Sequence, residues 1–253
     1  MSKLAKNNSD NPSAVIWLVD GNRFSDAEYA FFAQKLGSSE TDRYRRFLRA
    51  ERQRQFLVGR MLLRFAIGNL MTLPPATIAV KEQADGAPQL VLPDSCNAQP
   101  GFSLSHSGKW VACAVSGDSL LGLDIEIVNP ERDLVGISRA IFQSNEIAWL
   151  ERQPTESCIA AFYQLWSLRE ALFKLLSNAN DSDRIPELLD AEHAIASHGK
   201  GWHSHVLSHA ELSCVLCSTH ALSLQTPLRP SEVSPAALLA AMRQGAAEFE
   251  AGV

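Results

Sequence analysis

The 253-residue chain has no long apolar run and only five cysteines. Because a transmembrane helix needs about 20 consecutive apolar residues, the sequence predicts a protein that does not span a membrane. An odd cysteine count in a chain of this length does not favour a disulfide framework. The polar segment 1–10 does not have the pattern of a secretory signal. We therefore expect a cytoplasmic protein with reduced thiols.

The chain also lacks an overall positive charge, since its formal net charge is −5 at pH 7. Nucleic acids and anionic membranes are held largely by basic surfaces, so the composition predicts neither as a partner. Phosphate-binding loops of the Gly-x4-Gly-Lys type are absent as well. What the chain does must therefore be sought in shorter motifs.

Hydrophobic periodicity divides the chain into helical and strand-like stretches. Helical spacing is predicted over 25–36, 42–70 (in one or two pieces), 138–150, 160–176 and about 236–250. Strand-like runs are predicted over 15–19, 77–81, 89–92, 102–105, 110–115, 121–128 and 201–218. Phe-x3-Glu patterns begin at Phe47 and Phe142, and each precedes a long amphipathic helix, which indicates a twofold repeat. We expect an α/β (α+β) fold of two similar halves, 14–119 and 120–253, after a disordered lead at 1–13.

The strand-like segment 121–128 places two carboxylates together, because side chains alternate along a strand. Asp124 and Glu126 share one face, and apolar residues fill the other. Neighbouring carboxylates repel each other unless a cation lies between them, and oxygen ligands of this kind suit Mg²⁺. A strand with one solvated face explains the same pattern, and the segment alone leaves both interpretations open.

Two further segments carry polar residues at informative positions. On the helix predicted over 160–176, Glu170 and Lys174 lie one turn apart on the same face, as an ordinary surface ion pair also does. Ser105 and His106 precede a small-residue turn at Gly108 whose polar groups could bind phosphate oxygens. A lone histidine is nevertheless more often structural, so neither segment is specific by itself.

Taken in order, the three segments resemble the surfactin-type 4'-phosphopantetheinyl transferases. The motifs that carry the resemblance are Ser-His-Ser-Gly-Lys-Trp at 105–110, Gly-Leu-Asp-Ile-Glu at 122–126 and Trp-Ser-Leu-Arg-Glu-Ala-Leu-Phe-Lys at 166–174. The likeness covers the region from Asp42 to Leu176, and it is weak before the first motif. It implies a 4'-phosphopantetheinyl transferase fold, in which two similar α/β halves of one chain bind coenzyme A in the cleft between them.

The resemblance implies transfer of the 4'-phosphopantetheine moiety of coenzyme A to a serine of an apo acyl or peptidyl carrier protein, with release of 3',5'-ADP. It implies Mg²⁺ as cofactor, coenzyme A as co-substrate, and a monomer that serves fatty acid, polyketide or nonribosomal peptide biosynthesis. The alternative is a non-catalytic module of the same fold that binds coenzyme A or a carrier domain. A metal-dependent phosphohydrolase is a third class, but the sequence has no further carboxylate or histidine cluster for a second metal.

The family's functional residues transfer by resemblance onto matching positions of this chain. The metal ligands would be Asp124, Glu126 and Glu170. The catalytic residues would be Glu170, which takes the proton of the carrier serine, together with Lys174 and His106. The residues that contact coenzyme A would be Arg54, Gly86, Pro88, Ser105, His106 and Lys174.

Two segments depart from the family pattern. A Gly-Ala-Pro tripeptide at 86–88 stands where the family carries Gly-Lys-Pro, so Ala87 replaces a lysine that meets coenzyme A phosphate. Lysines expected before the Arg-Arg-Phe motif at 45–47 fall on Ser38 and Thr41. One arginine of the basic stretch 43–54 is expected to reach the 3'-phosphate. One spacing points to Arg54 and another to Gln55, and we favour Arg54 because only it is charged.

Cys214 and Cys217, with His209 and His220 close in sequence, also suggest a structural zinc site. Such sites need four converging ligands. The two cysteines lie in an alternating apolar stretch, where residues three apart face opposite sides of a strand. The sequence therefore argues against zinc here.

Overall fold

The computed structural model describes residues 13–83, 87–96, 98–179, 185–222 and 230–244. Of the predicted disordered lead, residues 1–12 lie outside these ranges, and the division at 119 stays a prediction. The described residues form ten strands and seven α-helices, which confirms the mixed α/β class. None of these helices is both long and apolar enough to cross a membrane.

The first half of the chain runs from β1 (Ala14–Asp20) through three helices, α1 (Asp26–Ala33), α2 (Ser38–Arg46) and α3 (Ala50–Met71). The hairpin of β2 (Ala79–Lys81) and β3 (Gln89–Val91) leads to β4 (Gly101–Ser107) and β5 (Trp110–Ser116). A capping box begins α1, since Ser25 and Glu28 exchange hydrogen bonds.

The second half repeats this order. It begins with β6 (Leu121–Ile127), and the helices α4 (Leu134–Ile141), α5 (Ser144–Glu151) and α6 (Thr155–Asn178) follow. The strands β7 (His198–Gly199), β8 (Trp202–Val206) and β9 (Leu212–Ser218) complete its sheet. The short β10 (Ser231–Glu232) and α7 (Pro235–Gln244) then return to the first half. The end of the last predicted helix, 245–250, lies outside the described residues.

Two four-stranded sheets show that the halves are alike. The first has the order β10-β1-β5-β4 and the second has the order β6-β9-β8-β7. In each, the first strand of the half pairs antiparallel with the last long strand, which pairs antiparallel with the strand before it. The long helix of each half, α3 or α6, packs on its own sheet.

The hydrophobic core has three parts that together define four layers. One cluster joins α3 to the first sheet and another joins α6 to the second sheet. The third lies between the sheets and is built from the inward side chains of β1, β5, β6 and β9, among them Leu18, Ala112, Leu123 and Leu216. The order of layers is therefore helix, sheet, sheet, helix.

Two predicted helices are each split in the structure. The stretch 42–70 is divided between α2 and α3, because Phe47 has extended backbone angles. The stretch 138–150 is divided between α4 and α5 at Phe142 and Gln143, which are also extended. Neither glycine nor proline marks the second break. The Glu146 side chain accepts a hydrogen bond from the Gln143 N–H at 2.7 Å, and that bond starts the new helix.

A buried ion pair recurs at the same place in both halves. Glu40 near the start of α2 is fully buried and accepts two bonds from Arg64 of α3, the shorter at 2.6 Å. Glu146 near the start of α5 is fully buried and pairs with Arg169 of α6 at 3.2 Å. Breaking such a pair costs about 3–5 kcal/mol, because one charge is left buried without a partner.

The two buried ion pairs show which residues of the two halves are equivalent, and they differ from the predicted alignment of the repeat. The Phe-x3-Glu patterns align Glu146 with Glu51, but Glu51 is exposed in the first turn of α3. The structural equivalent of Glu146 is Glu40, since both cap the helix before the long helix and both bind an arginine of that long helix. The existence of a repeat is confirmed, and its predicted alignment is wrong.

Gly122 lets α6 approach β6 closely. A Cβ atom at Gly122 would lie 1.9 Å from the Ala171 carbonyl oxygen of α6, which no side-chain adjustment relieves. Side chains alternate along a strand, so Gly122, Asp124 and Glu126 all face α6. The close approach at Gly122 therefore sets the distance between α6 and the carboxylates of β6.

We predict that Gly122→Ala lowers the free energy of unfolding by about 3 kcal/mol, because the helix backbone must move away from the strand. Urea denaturation followed by circular dichroism measures this change. Gly117→Ala is the matched control, since nothing lies within 4 Å of a Cβ at that position. Equal stability of the two variants would show that α6 does not rest on β6 in this way.

Candidate active site

At the edge of β6 that faces the first sheet, side chains form the hydrogen bonds with the backbone N–H and carbonyl groups. Among the described strands, none pairs with this edge, although β4 runs alongside it. Alternate serines of β4 accept hydrogen bonds from backbone N–H groups of β6. Ser103 accepts from Leu123 at 2.9 Å, Ser105 from Ile125 at 3.2 Å and Ser107 from Ile127 at 3.0 Å. The two sheets are thus joined through hydroxyl groups where a backbone ladder would otherwise form.

The carbonyl groups of the same edge are bound by α6. Lys174 Nζ donates to the Leu123 carbonyl at 2.8 Å, and Asn178 Nδ2 donates to the Leu121 carbonyl at 2.9 Å. Both donors lie on one face of the helix, since residues four apart are neighbours there. The final turns of α6 therefore bind the edge of β6 where it lies beside β4 of the first half.

Lys174 is the centre of this joint. Besides the Leu123 carbonyl, its ammonium donates to Ser105 Oγ at 3.1 Å and to Asp124 Oδ1 at 2.9 Å. A lysine ammonium has three donors, so all of them are used within the protein. The predicted contact between Lys174 and phosphate stays a prediction, and it requires that one of these bonds is exchanged.

The three predicted metal ligands lie on neighbouring surfaces of β6 and α6. Asp124 is buried, whereas Glu126 and Glu170 are partly exposed. Desolvation and the nearby Asp124 charge raise the pKa of Glu170. Desolvation, and to a smaller extent Asp124, also raise the pKa of Glu126, against a hydrogen bond from Ser107 that lowers it. The three carboxylates therefore form one electrostatically coupled group.

This group fits a divalent cation by its chemistry. The Asp124 Oδ2 atom is buried and has no hydrogen-bond partner among the described residues, a costly state for a carboxylate oxygen. Desolvation, together with the Asp124 charge, raises the pKa of Glu126 and of Glu170, and a bound cation would favour the ionised forms of both. Within the described part of the chain, no three such side chains already converge on one point. Binding of a cation would thus require side-chain movement within this group.

A cleft of about 880 Å³ opens beside this group, between α3, β4 and α6. Apolar walls are provided by Phe47, Phe56, Phe102 and Phe173, of which Phe173 is about half exposed. Cationic groups are provided by Arg43, Arg52, Arg60 and Lys174. An apolar cleft with several cations suits a ligand that combines a flat or aliphatic part with phosphate groups.

His106 lies in the cleft with its ring against an arginine. Arg52 Nη1 is 3.0 Å from His106 Nδ1 and 3.1 Å from Nε2. Desolvation by the cleft walls, followed by the Arg52 and Lys174 charges, lowers the pKa of His106 to about 4. The side chain is still exposed toward the open cleft. At neutral pH the imidazole is therefore uncharged and accepts a hydrogen bond from Arg52.

The structure places most of the predicted coenzyme A contacts in this cleft. Ser105, His106, Lys174 and Pro88 all line it, whereas Gly86 lies outside the described residues. Ser105 is buried and already bonded to three partners. Its geometry therefore suits a residue that orients Asp124 and Lys174 more than one that contacts a ligand directly.

Arg54, the arginine favoured from the sequence, lies outside this cleft. It forms an ion pair with Asp26 at 2.8 Å and lies over the Tyr29 ring, in a smaller depression. Arg52 and Arg43 face the cleft instead. The spacing of the motif left a choice between Arg54 and Gln55. The direction of each side chain on α3 decides which arginine reaches the cleft. Sequence reasoning also missed Asn178, which no motif marks.

The zinc interpretation gains no support. Cys214 and Cys217 are buried in two different core clusters on opposite faces of β9. Burial raises the pKa of Cys214 to about 12 and also raises that of Cys217, so neither thiolate forms readily.

At the equivalent described positions of the first half, aromatic residues stand in place of carboxylates. Trp17 stands at the middle of β1 as Asp124 stands at the middle of β6. Phe65 follows Arg64 on α3 as Glu170 follows Arg169 on α6. Trp17 and Phe65 pack edge to face, with ring centroids 5.3 Å apart. Where the second half has acidic side chains, the first half therefore has a contact between two aromatic rings.

Comparison with protein families gives matches over both halves. Residues 23–118 match the model described as 4'-phosphopantetheinyl transferase, N-terminal, and residues 120–225 match the 4'-phosphopantetheinyl transferase superfamily. Together the two matches account for most of the chain.

Individual relatives agree with these families. A 4'-phosphopantetheinyl transferase of Bacillus subtilis is 32% identical over 140 residues, or 55% of this chain and 59% of the relative. HetI of Nostoc is 32% identical over 144 residues, 56% of this chain and 60% of the relative. Psf-1 of Bacillus pumilus is 38% identical over 122 residues, 48% and 49% of the two chains. The chain thus spans about half to three fifths of the length of these relatives.

We predict that His106 does not take up a proton between pH 8 and pH 5, because its pKa is held near 4. Two-dimensional NMR of the imidazole ring measures this titration. The pKa of His106 in the folded protein lies below the ordinary value of about 6.5. The unfolded chain therefore binds a proton at His106 more readily, and the stability of the fold falls as pH drops from about 6.5 toward 4. Above about pH 6.5, His106 makes no pH-dependent contribution to stability. An NMR midpoint near 6.5 would contradict the described environment.

Proposed function

We propose that this chain, which belongs to the 4'-phosphopantetheinyl transferase superfamily, transfers the 4'-phosphopantetheine moiety of coenzyme A to a serine of an apo carrier protein and releases 3',5'-ADP. The observation that carries the proposal is the buried Asp124, with an unpartnered oxygen, beside a cationic cleft. This arrangement offers a site for a phosphate-bound cation at one end of a ligand cleft.

The cleft would hold coenzyme A by both of its walls. Phe47, Phe102 and Phe173 offer apolar surface to the adenine ring or the pantetheine arm. Guanidinium groups and the Lys174 ammonium offer charge to its phosphates. Most of the rate enhancement would come from holding the β-phosphorus and the carrier serine in line, since phosphoryl-type transfer depends on positioning and electrostatics.

Glu170 is suited to accept the proton of the carrier serine. Its side chain is partly exposed and lies beside Asp124 at the edge of the cleft. As the serine Oγ bonds to the β-phosphorus, its proton passes to the Glu170 carboxylate and the bond to 3',5'-ADP breaks. Lys174 provides positive charge next to this centre and orients Asp124.

Asp124, Glu126 and Glu170 would together hold Mg²⁺, which when bound neutralises charge on the pyrophosphate. Ser105 and Ser107 support this role, because their hydroxyl groups donate to Asp124 Oδ1 at 3.2 Å and to Glu126 Oε2 at 2.9 Å. Such hydrogen bonds orient carboxylates for a cation. A cytoplasmic location, a monomeric state and the lack of nucleic-acid or membrane partners stay predictions from the sequence.

We expect the purified chain to modify an apo acyl or peptidyl carrier protein when coenzyme A and Mg²⁺ are supplied, and mass spectrometry of the carrier detects the added phosphopantetheine. Excess chelator should abolish the reaction, and added Mg²⁺ should restore it. Coenzyme A binding without transfer to any carrier would favour the non-catalytic alternative. Release of inorganic phosphate without carrier modification would favour a phosphohydrolase.

We predict that Asp124→Asn lowers the transfer rate at least about 100-fold, because it removes a charge that the cation and Lys174 both require. The amide keeps the shape of the side chain, and circular dichroism checks that the variant folds. Asp118→Asn is the matched control, since Asp118 is an exposed loop residue outside the cleft. If the Asp124→Asn rate stays within about threefold of normal, the carboxylate does not take part in the reaction.

A further inference from the structure

A second contact between the halves lies at the C-terminal end of β6. The loop between β8 and β9 ends at Glu211, one residue before β9 begins. The Glu211 carbonyl accepts a hydrogen bond from the Val128 N–H at 3.4 Å. This bond lies directly beyond the last ladder pair of β6, Ile127 with Leu212. The backbone of Glu211 is therefore attached to the end of the strand that carries Glu126.

The Glu211 side chain crosses to the first half. Its carboxylate accepts a hydrogen bond from the Trp110 indole N–H at 3.1 Å and pairs with the Lys109 ammonium at 3.0 Å. Hydrogen bonds from Lys109 and Trp110 lower the pKa of Glu211, so the group is ionised at neutral pH. Trp110 is buried, and loss of the acceptor would leave its indole N–H unpaired, which is costly. The exposed pair with Lys109 contributes little by comparison.

His209 holds the loop in the position that this contact needs. Its Nδ1 accepts a hydrogen bond from the Glu211 N–H at 3.1 Å, and its ring packs edge to face against Trp110 with centroids 5.3 Å apart. The Glu211 carboxylate is therefore directed at the Trp110 indole by local contacts of its own loop.

Trp110 lies at the turn that orients a carboxylate of the candidate active site. It is paired with Ser107 in the ladder of β4 and β5. Ser107 Oγ donates to Glu126 Oε2 at 2.9 Å and accepts from the Ile127 N–H at 3.0 Å. The Glu126 side chain of the second half thus takes its orientation from a turn of the first half.

Other bonds hold this turn relative to the first half. Gln55 of α3 donates to the Gly108 carbonyl at 2.8 Å, and the Gly21 N–H donates to the Lys109 carbonyl at 2.7 Å. These bonds do not restrain the turn against β6. The orientation of Glu126 depends on that second position, which Glu211 restrains because it binds both the end of β6 and the turn.

We propose that Glu211 is a positioning residue of the active site, which holds Trp110 and the β4–β5 turn so that Ser107 directs the Glu126 carboxylate toward a divalent cation. This inference rests on the proposed function, because it takes Glu126 as a ligand of the cation. Outer residues that orient metal-binding carboxylates tune the affinity for the cation. Glu211 does not line the cleft, and it acts one contact further out than Ser107.

The test measures binding of Mn²⁺ to the chain without coenzyme A or a carrier. Mn²⁺ prefers the same oxygen ligands as Mg²⁺, and electron paramagnetic resonance measures its free concentration. In Glu211→Ala, the dissociation constant for Mn²⁺ should rise about 3- to 10-fold, somewhat less than the usual loss when a residue that contacts a metal ligand is removed.

Two glutamate variants are the controls. Glu211→Gln should bind Mn²⁺ as the unaltered chain does, because its amide oxygen still accepts the Trp110 indole N–H. Glu192→Ala should also bind normally, since Glu192 is likewise exposed, on a turn of the second half. The Trp110 indole N–H resonance, measured by two-dimensional NMR without metal, should shift in Glu211→Ala and stay in place in Glu211→Gln.

A double variant distinguishes positioning from a general loss of structure. Ser107→Ala removes the bond to Glu126, so adding Glu211→Ala to it should weaken Mn²⁺ binding no further. If circular dichroism shows that Glu211→Ala does not fold, Trp110→Phe removes the same hydrogen bond and carries the same expectation. Normal Mn²⁺ binding in Glu211→Ala, or additive losses in the double variant, would overturn the inference.

Carrier modification by the unaltered chain reports on the proposed function separately. If that chain modifies a carrier and Glu211→Ala binds Mn²⁺ normally, the Glu211 assignment fails alone. If the unaltered chain binds Mn²⁺ in a Glu211-dependent way but modifies no carrier, the transferase fails and the Glu211 assignment stands. Absence of Mn²⁺ binding by the unaltered chain would overturn the Glu211 assignment together with the proposed metal ligands.

Discussion

The structure depends on the contact of Lys174 with Asp124, Ser105 and the Leu123 carbonyl. This one ammonium group links the long helix of the second half to an unpaired edge of β6 and, through Ser105, to β4 of the first half. A backbone ladder between β4 and β6 would join the halves more simply. The side-chain joint instead leaves polar groups at the base of the cleft, where a charged ligand can meet them.

The elements that both halves share form the framework of the protein, and the differences between the halves form the candidate active site. Both halves fix their long helix by the same buried pair, Glu40 with Arg64 and Glu146 with Arg169. At the next residue the halves diverge, because the first half has a partly buried aromatic pair where the second half has carboxylates. One half can therefore serve as a rigid wall with cationic side chains, while the other holds the acidic group.

Alternation along β6 predicts that Asp124 and Glu126 share a face, and the helical spacing of α6 predicts the same for Glu170 and Lys174, because strand and helix periods are local properties. That the two pairs come together followed only from the resemblance to the family. The arginine that faces the cleft could not be predicted, because its direction depends on where α3 begins and on Asp26, a distant partner that draws Arg54 away. The break at Phe142 was likewise hidden, since a side-chain cap at Glu146 produces it without glycine or proline. The alignment of the repeat failed for the same reason: buried pairing at Glu40 is a tertiary property.

The coupling between Asp124 and Lys174 tests this account most directly. Urea denaturation of Asp124→Asn, Lys174→Met and the double variant, without metal or coenzyme A, gives the coupling free energy. Lys174 is partly exposed and Asp124 is nearly buried, so we expect a coupling of at least about 1 kcal/mol, with the double variant more stable than the sum of the single changes implies. Additivity within about 0.5 kcal/mol would contradict the claim that this contact fixes α6 against the edge of β6 at the base of the cleft.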